Sequence, residues 1–216
     1  MKVKVPRYSF ASLLVALVLA GIIFPLIPEL ITRSVMLKAS LTLLLVCSIY
    51  VFSHDRRTLI STMILAIPTV VTGWISVSRG TPTFAMLDTF LYIIFFAYII
   101  IRIIKLVFAN SVITRDTLYG AMCVYLLFGI WWALCYSFIE LVHPNSFHGI
   151  NAVDGYDLWG FIYFSYVSLT TLGLGDMVPV TRAAQSLTAL EAVVGQFYLA
   201  VSVARLVGMH ISQKIA

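Results

Sequence analysis

Six apolar runs, each at or near the roughly 18 residues that cross a hydrocarbon layer, constrain this chain more than any other feature. They cover residues 8–27, 35–52, 58–77, 84–101, 118–142 and 183–211. Lipid cannot hydrogen-bond a backbone, so runs of this length must satisfy their own N–H and C=O groups as helices. The composition agrees: 61% of the 216 residues are hydrophobic, 11% are charged, and the mean hydropathy is +1.02, beyond an ordinary soluble domain. The expected fold class is an all-α membrane protein with six transmembrane helices. Cys47, Cys123 and Cys135 all fall inside these runs and read as small apolar packing residues, not as disulfide or metal partners. Lys2, Lys4 and Arg7 precede the first run, as in a signal peptide, but the run is long and shows no clear small-residue cleavage site before Pro25 and Pro28. It reads as a retained helix.

Lys and Arg flanking spans accumulate on the cytoplasmic side. With both termini inside, Lys2, Lys4, Arg7, Arg56, Arg57, Arg102, Lys105, Arg115, Arg205 and Lys214 lie on or near that side, against Arg33, Lys38, Arg79 and Arg182 outside. The expected placement is therefore multi-pass in the cell (inner) membrane with both termini cytoplasmic. A basic rim against anionic lipid accounts for the formal net charge of +5, so no nucleic-acid partner is needed.

The first four helices are joined by short loops and are expected to form a four-helix unit over 1–117. The rest, 118–216, is organised differently. About 40 residues separate the last two runs, too many for a simple hairpin connection. Within them, an aromatic run from Asp157 to Leu169 has the length of a helix that enters the membrane partway, with Asp157 placed to cap its first turn. A glycine-containing stretch, TTLGLGD, follows over 170–176. Non-helical backbone at membrane depth is tolerated only where protein buries it or where it lines a water-filled path. A re-entrant helix followed by such a stretch is expected between helices 5 and 6.

Glycine takes positive φ at little cost. With Gly173 and Gly175 in that conformation, the carbonyls of Thr171, Leu172, Gly173 and Leu174 can point one way and the leucine side chains the other. One chain supplies a single line of oxygens, but four copies around an axis would stack rings able to replace the water shell of a dehydrated cation. Here SLTTLGLGDMVP resembles the selectivity-filter stretch of potassium channels, usually written T-V-G-Y-G-D, with two substitutions over Thr171 to Asp176. The resemblance covers about 118–211; helices one to four resemble six-helix channels in number and topology only.

The resemblance implies a homotetrameric potassium channel that conducts passively. It places K+ on Thr171, Leu172, Gly173 and Leu174, with Gly175 completing the filter and Thr170, Asp176, Tyr163 and Glu191 supporting it. It also implies a hinge at Gly195, for which close helix packing is the competing reading, and a central path along Gln196, Leu199, Val203 and Val207. The valines could gate by dewetting. Leu174 stands where relatives have tyrosine, which removes a hydroxyl that ties the filter to its surroundings and leaves a non-selective monovalent cation channel as an alternative. Tyr163 stands where many relatives have a tryptophan that bonds the filter aspartate, and its phenol can reach Asp176 instead.

A voltage sensor needs several cations across the fourth span, because one charge moved through the full field yields only about 2.3 kcal/mol per 100 mV. DTFLYIIFFAYIIIRIIK offers Arg102 and Lys105 alone, read as snorkelling anchors, and helices two and three show no acidic partner within the span. Strong voltage gating is not expected. Glu191, one turn before Gly195, is a membrane carboxylate and a functional candidate by default: it could be protonated, bonded behind the filter to Ser168 or Thr170, or part of an ion path, and the bonded, structural role is favoured. His143 and His148 read as solvated loop residues, with external pH sensing the sharper option.

About five residues follow Ile211, so no cytoplasmic ligand-binding domain is expected, and gating by nucleotide or calcium would need an unidentified regulatory partner. A potassium-transport subunit is a competing reading, but such transporters need four of these loops in one chain and this sequence has one. An accessory membrane protein would leave the glycine stretch unexplained. No metal-ligand spacing, nucleophile triad or phosphate loop stands in the sequence, so neither enzymatic chemistry nor a cofactor beyond permeant K+ is expected.

Overall fold

Every apolar run folds as a helix in the computed structural model, which describes residues 10–26, 33–53, 55–79, 81–109, 114–149 and 158–215. The helices are α1 (Phe10–Leu26), α2 (Arg33–Val51), α3 (Arg56–Arg79), α4 (Pro82–Ala109), α5 (Arg115–Val142), α6 (Leu158–Leu169) and α7 (Arg182–Ile215). Local chemistry sets several of their ends. Pro82 opens α4, where a missing N–H costs nothing. Thr114 caps α5 by accepting from the Thr117 amide, the Thr117 side chain returns the bond, and Asp116 in the first turn opposes the positive end of the helix dipole. The expected Asp157 cap lies outside the described residues.

Four helical segments are long and apolar enough to cross a membrane: Arg56–Ser78, Pro82–Ala109, Arg115–Val142 and Arg182–Met209. The apolar segments Phe10–Gly21, Val35–Val51 and Leu158–Leu169 are shorter. At about 1.5 Å per residue, α6 spans only about 18 Å against a hydrocarbon core of about 30 Å.

The helices pack in an order that encloses α6. α1 lies against α2 and α5, α4 lies against α3 and α5, and α6 sits between α5 and α7. Tyr92, Phe95, Phe96, Ile99 and Ile103 of α4 and Leu127 and Leu134 of α5 are fully buried along the seam. Gly129 permits the α5–α6 crossing: a Cβ there would stand 2.3 Å from Tyr166 Cε1. The Tyr166 hydroxyl then donates to the Leu126 carbonyl at 2.9 Å, so the ring is fixed at both ends.

After α5, the Glu140 carboxylate accepts from the amides of Asn145, Ser146 and Phe147 at 2.7, 2.9 and 3.2 Å. Phe147 plugs into rings of Tyr136, Phe161 and Phe164. The loop so anchored forms β1 (Phe147–His148), which pairs antiparallel with β2 (Val178–Pro179) just beyond the glycine stretch. His148, exposed, is thereby fixed opposite Val178. Gly149 follows at φ +88, where a Cβ would come within 2.2 Å of the Asp176 carbonyl oxygen.

Two ion pairs revise the charge reading. Lys38, counted above among the four basic residues outside, is 7% exposed and pairs with Asp88 of α4. Arg102, read as a snorkelling anchor, pairs with Asp55 at 3.5 Å and with the Thr58 hydroxyl. Asp55 lies between α2 and α3, outside the spans where an acid was sought. Cross-helix neighbours of this kind are set by packing, which one-dimensional charge spacing does not encode.

Candidate functional site

The end of α6 governs the direction of the backbone that follows it. The Leu172 amide donates to the Val167 carbonyl at 2.9 Å and the Thr171 amide to the Ser168 carbonyl at 3.0 Å, the paired bonds of a Schellman closure. That closure needs a left-handed residue between α6 and Leu172, and Thr171 supplies it at φ 58. Glycine usually fills such a place, and a β-branched residue there is strained. The Gly173 amide also turns back to Val167, at 3.4 Å. In a trans peptide the N–H opposes the C=O of the residue before it, so the carbonyls of Thr170, Thr171 and Leu172 point away from α6.

The alternation continues beyond Thr171. Gly173 (φ 60) and Gly175 (φ 77) are left-handed, whereas Leu172 and Leu174 are not. Thr170 to Asp176 are all exposed in the single chain, with Leu172 at 62% and Leu174 at 59%. At the far end the Tyr163 hydroxyl donates to Asp176 Oδ2 at 2.7 Å, and the Met177 amide donates to Oδ1 at 3.1 Å. These donors favour the charged form, the Tyr163 bond above all, and hold the Asp176 carboxyl below the usual carboxylate range.

Behind the stretch, Glu191 of α7 is 0% exposed. Its Oε1 meets Ser165 Oγ at 2.5 Å and its Oε2 meets the Tyr136 hydroxyl. The expected partners, Ser168 and Thr170, are not the ones it takes. Helix crossing sets Glu191 level with the middle of α6, and the Thr170 hydroxyl donates to Tyr166 O at 2.7 Å. One turn on, Gly195 meets the end of α6: a Cβ there would lie 2.7 Å from Leu169 Cδ1 and 3.0 Å from its carbonyl oxygen. Gly195 thus sits at a close helix contact, and α7 runs helical through it.

Residues 113–211, which take in α5, α6, the glycine stretch and nearly all of α7, match a family model described as an ion channel. That part of the chain, just under half of it, is similar to an ion channel domain. No curated protein and no solved structure matches the chain. An ion channel domain moves ions passively across a membrane, and the long apolar helices agree with a membrane location.

Within the matched stretch, Gln196, Leu199, Val203 and Val207 are exposed, and their spacing places them on one stripe of α7. The sequence reading did not single out Ser165 and Tyr136, the partners of Glu191, nor Gly129 and Tyr166, which lock α6 to α5. Nor did it reach the left-handed Thr171. Only Gly129 carried a local signal, a glycine inside an apolar helix. The described residues hold no group of three or more His, Cys, Asp or Glu side chains placed to bind a metal.

Proposed function

We propose that the chain is the subunit of a homotetrameric, potassium-selective channel of the cell inner membrane. In this reading α1 and α2 complete six spans, both termini are cytoplasmic, and α6 with the glycine stretch forms the re-entrant loop. The carbonyls of Thr171, Leu172, Gly173 and Leu174 from four subunits ring the path and replace the water shell of K+. The observation that carries the reading is the backbone of 170–175. The amides of Thr171, Leu172 and Gly173 are turned into α6, the carbonyls of Thr170, Thr171 and Leu172 are thereby turned out, and every second residue from Thr171 to Gly175 is left-handed.

A surface observation supports the tetramer. Only 17% of the α7 span is buried in one chain, against 56% for α5, so an apolar helix waits for cover. Four copies would place the stripe of Gln196, Leu199, Val203 and Val207 along the axis and leave other apolar positions of α7, such as Val193 and Phe197, for neighbours and lipid.

Leu174 favours a second reading, a non-selective monovalent cation channel, because the exposed leucine carries no hydroxyl to tie the ring width to α6. Purified protein in liposomes separates the two. Uptake driven by a K+ gradient with little Na+ uptake is expected. Equal uptake of both ions would establish the second reading, and absence of uptake in active-sized vesicles would overturn the channel.

A further inference from the structure

The hydrogens around Glu191 can be counted. Ser165 Oγ lies 2.7 Å from the Gly129 carbonyl oxygen and 2.5 Å from Glu191 Oε1. A serine hydroxyl carries one hydrogen and a carbonyl only accepts. When Ser165 gives its hydrogen to Gly129, the contact with Glu191 needs a hydrogen from the carboxyl. An ionised carboxylate would leave one of the two contacts with lone pairs facing each other. The neutral acid satisfies both and still accepts from Tyr136 through Oε2.

The surroundings favour the same form. Cys135, Tyr136 and Tyr125 of α5 and Tyr166 and Ser165 of α6 face Glu191, with Thr188 of α7 beside Tyr136. None is basic. Two ion pairs among the described residues join Lys38 to Asp88 and Arg102 to Asp55, and neither takes in Glu191. A buried carboxylate with no cation costs far more than a buried, hydrogen-bonded acid.

We propose that Glu191 is held as the neutral acid and is a positioning residue: it donates to Ser165, accepts from Tyr136, and so pins the pore helix α6 to α5 and α7. The effect on conduction rests on the channel reading above, whereas the protonation state does not. α6 has little slack, since Tyr166 fills the space of Gly129 and Leu169 presses on Gly195. Its last turn sets the carbonyl directions of 170–172 through the bonds to Val167 and Ser168. Removing the proton leaves Ser165 with one hydrogen for two acceptors, so its bond to Glu191 or its bond to Gly129 is lost, and it puts a charge against α6. The turn moves, and flux falls as pH rises.

The test combines infrared difference spectroscopy in lipid with flux in liposomes. At neutral pH, wild type minus Glu191→Gln is expected to show a protonated carboxyl C=O band, and Ser165→Ala should shift that band by removing its partner. Wild-type flux should fall reversibly at alkaline pH as the band disappears, with Glu191→Gln flat over the same range. An amide can donate to Ser165 and accept from Tyr136, so Glu191→Gln should retain flux where Glu191→Val loses about ten-fold or more. No protonated band at neutral pH, a band unmoved by Ser165→Ala, or alkaline flux loss identical in Glu191→Gln would overturn the proposal. Should Glu191→Gln fail to fold, the wild-type band and its response to Ser165→Ala decide. A wild type that shows the band yet passes no ions would overturn the channel reading and leave the neutral acid standing.

Discussion

In the single chain, Gly173 and Gly175 have no atom other than those of their chain neighbours within 4 Å of where a Cβ would sit, so within its own chain alanine there pays chiefly for its backbone conformation. That cost is about 1–2 kcal/mol per residue at positive φ, repeated in every subunit around the axis. Selective K+ uptake into liposomes is expected to fall steeply in Gly173→Ala and Gly175→Ala. Leu174→Tyr leaves the backbone demand untouched and adds a hydroxyl, so its uptake should persist with K+ preference equal or sharper. Normal selectivity in the alanine variants would show that the stretch is not a carbonyl filter. At the far end of the glycine stretch, the Tyr163 hydroxyl stabilises ionised Asp176. A depressed folded pKa contributes stability above the ordinary carboxylate range and loses it as pH falls through the folded value. Tyr163→Phe removes the main cause, so the Asp176 midpoint should rise. Carbon-13 NMR titration of the carboxyl reads this directly, and an unchanged midpoint would mean that the bond is not formed in the membrane.

Helix α4 is held at two places. Asp88 pairs with Lys38 near its start, and Arg102 reaches Asp55 and Thr58 about 21 Å further along. The first pair is buried, so breaking it differs from replacing it. Lys38→Met strands Asp88 and should cost about 3–5 kcal/mol, whereas Lys38→Met with Asp88→Leu should recover most of that loss. Thermal unfolding in detergent measures both, and a double variant no more stable than the single one would deny the coupling. The second clamp bears on gating. An arginine tied to the α2–α3 connection is a poor moving charge, and a cation or two in the full field supplies only about 2–5 kcal/mol per 100 mV. Current–voltage curves should stay shallow, and neutralising Arg102 and Lys105 together should change their slope little. A steep curve abolished by that double neutralisation would identify α4 as a sensor.

Across the whole molecule, surface is unevenly satisfied. α5 is the most buried span and α7 the least, although α7 carries the carboxyl that pins α6. A single copy leaves the glycine stretch open to solvent on the side where its carbonyls point. The proposed four-fold assembly would close that side, and mass measurement in native nanodiscs is expected to give a tetramer. Monomers or dimers alone would exclude rings built from one strand per chain.

Segment length and hydropathy were enough to determine that the apolar runs are helices, four of them long enough to cross a membrane, because a backbone in lipid has no other way to satisfy its polar groups. The glycine spacing was enough for left-handed backbone at Gly173 and Gly175, since that preference belongs to the residue. Thr171 shows where this ends. Its positive φ is imposed by the closure of α6 onto Val167 and Ser168, against the preference of a β-branched side chain. Long-range partners were decided by tertiary structure alone. Ser165 and Ser168 stand one turn apart on α6, and only the crossing of α7 selects Ser165 for Glu191, 26 residues away in the chain. The same holds for Lys38 and Asp88, 50 residues apart. Hydropathy reports whether a residue prefers lipid or water; which buried group faces it depends on how helices cross, and the crossing is settled by the packing of all of them together.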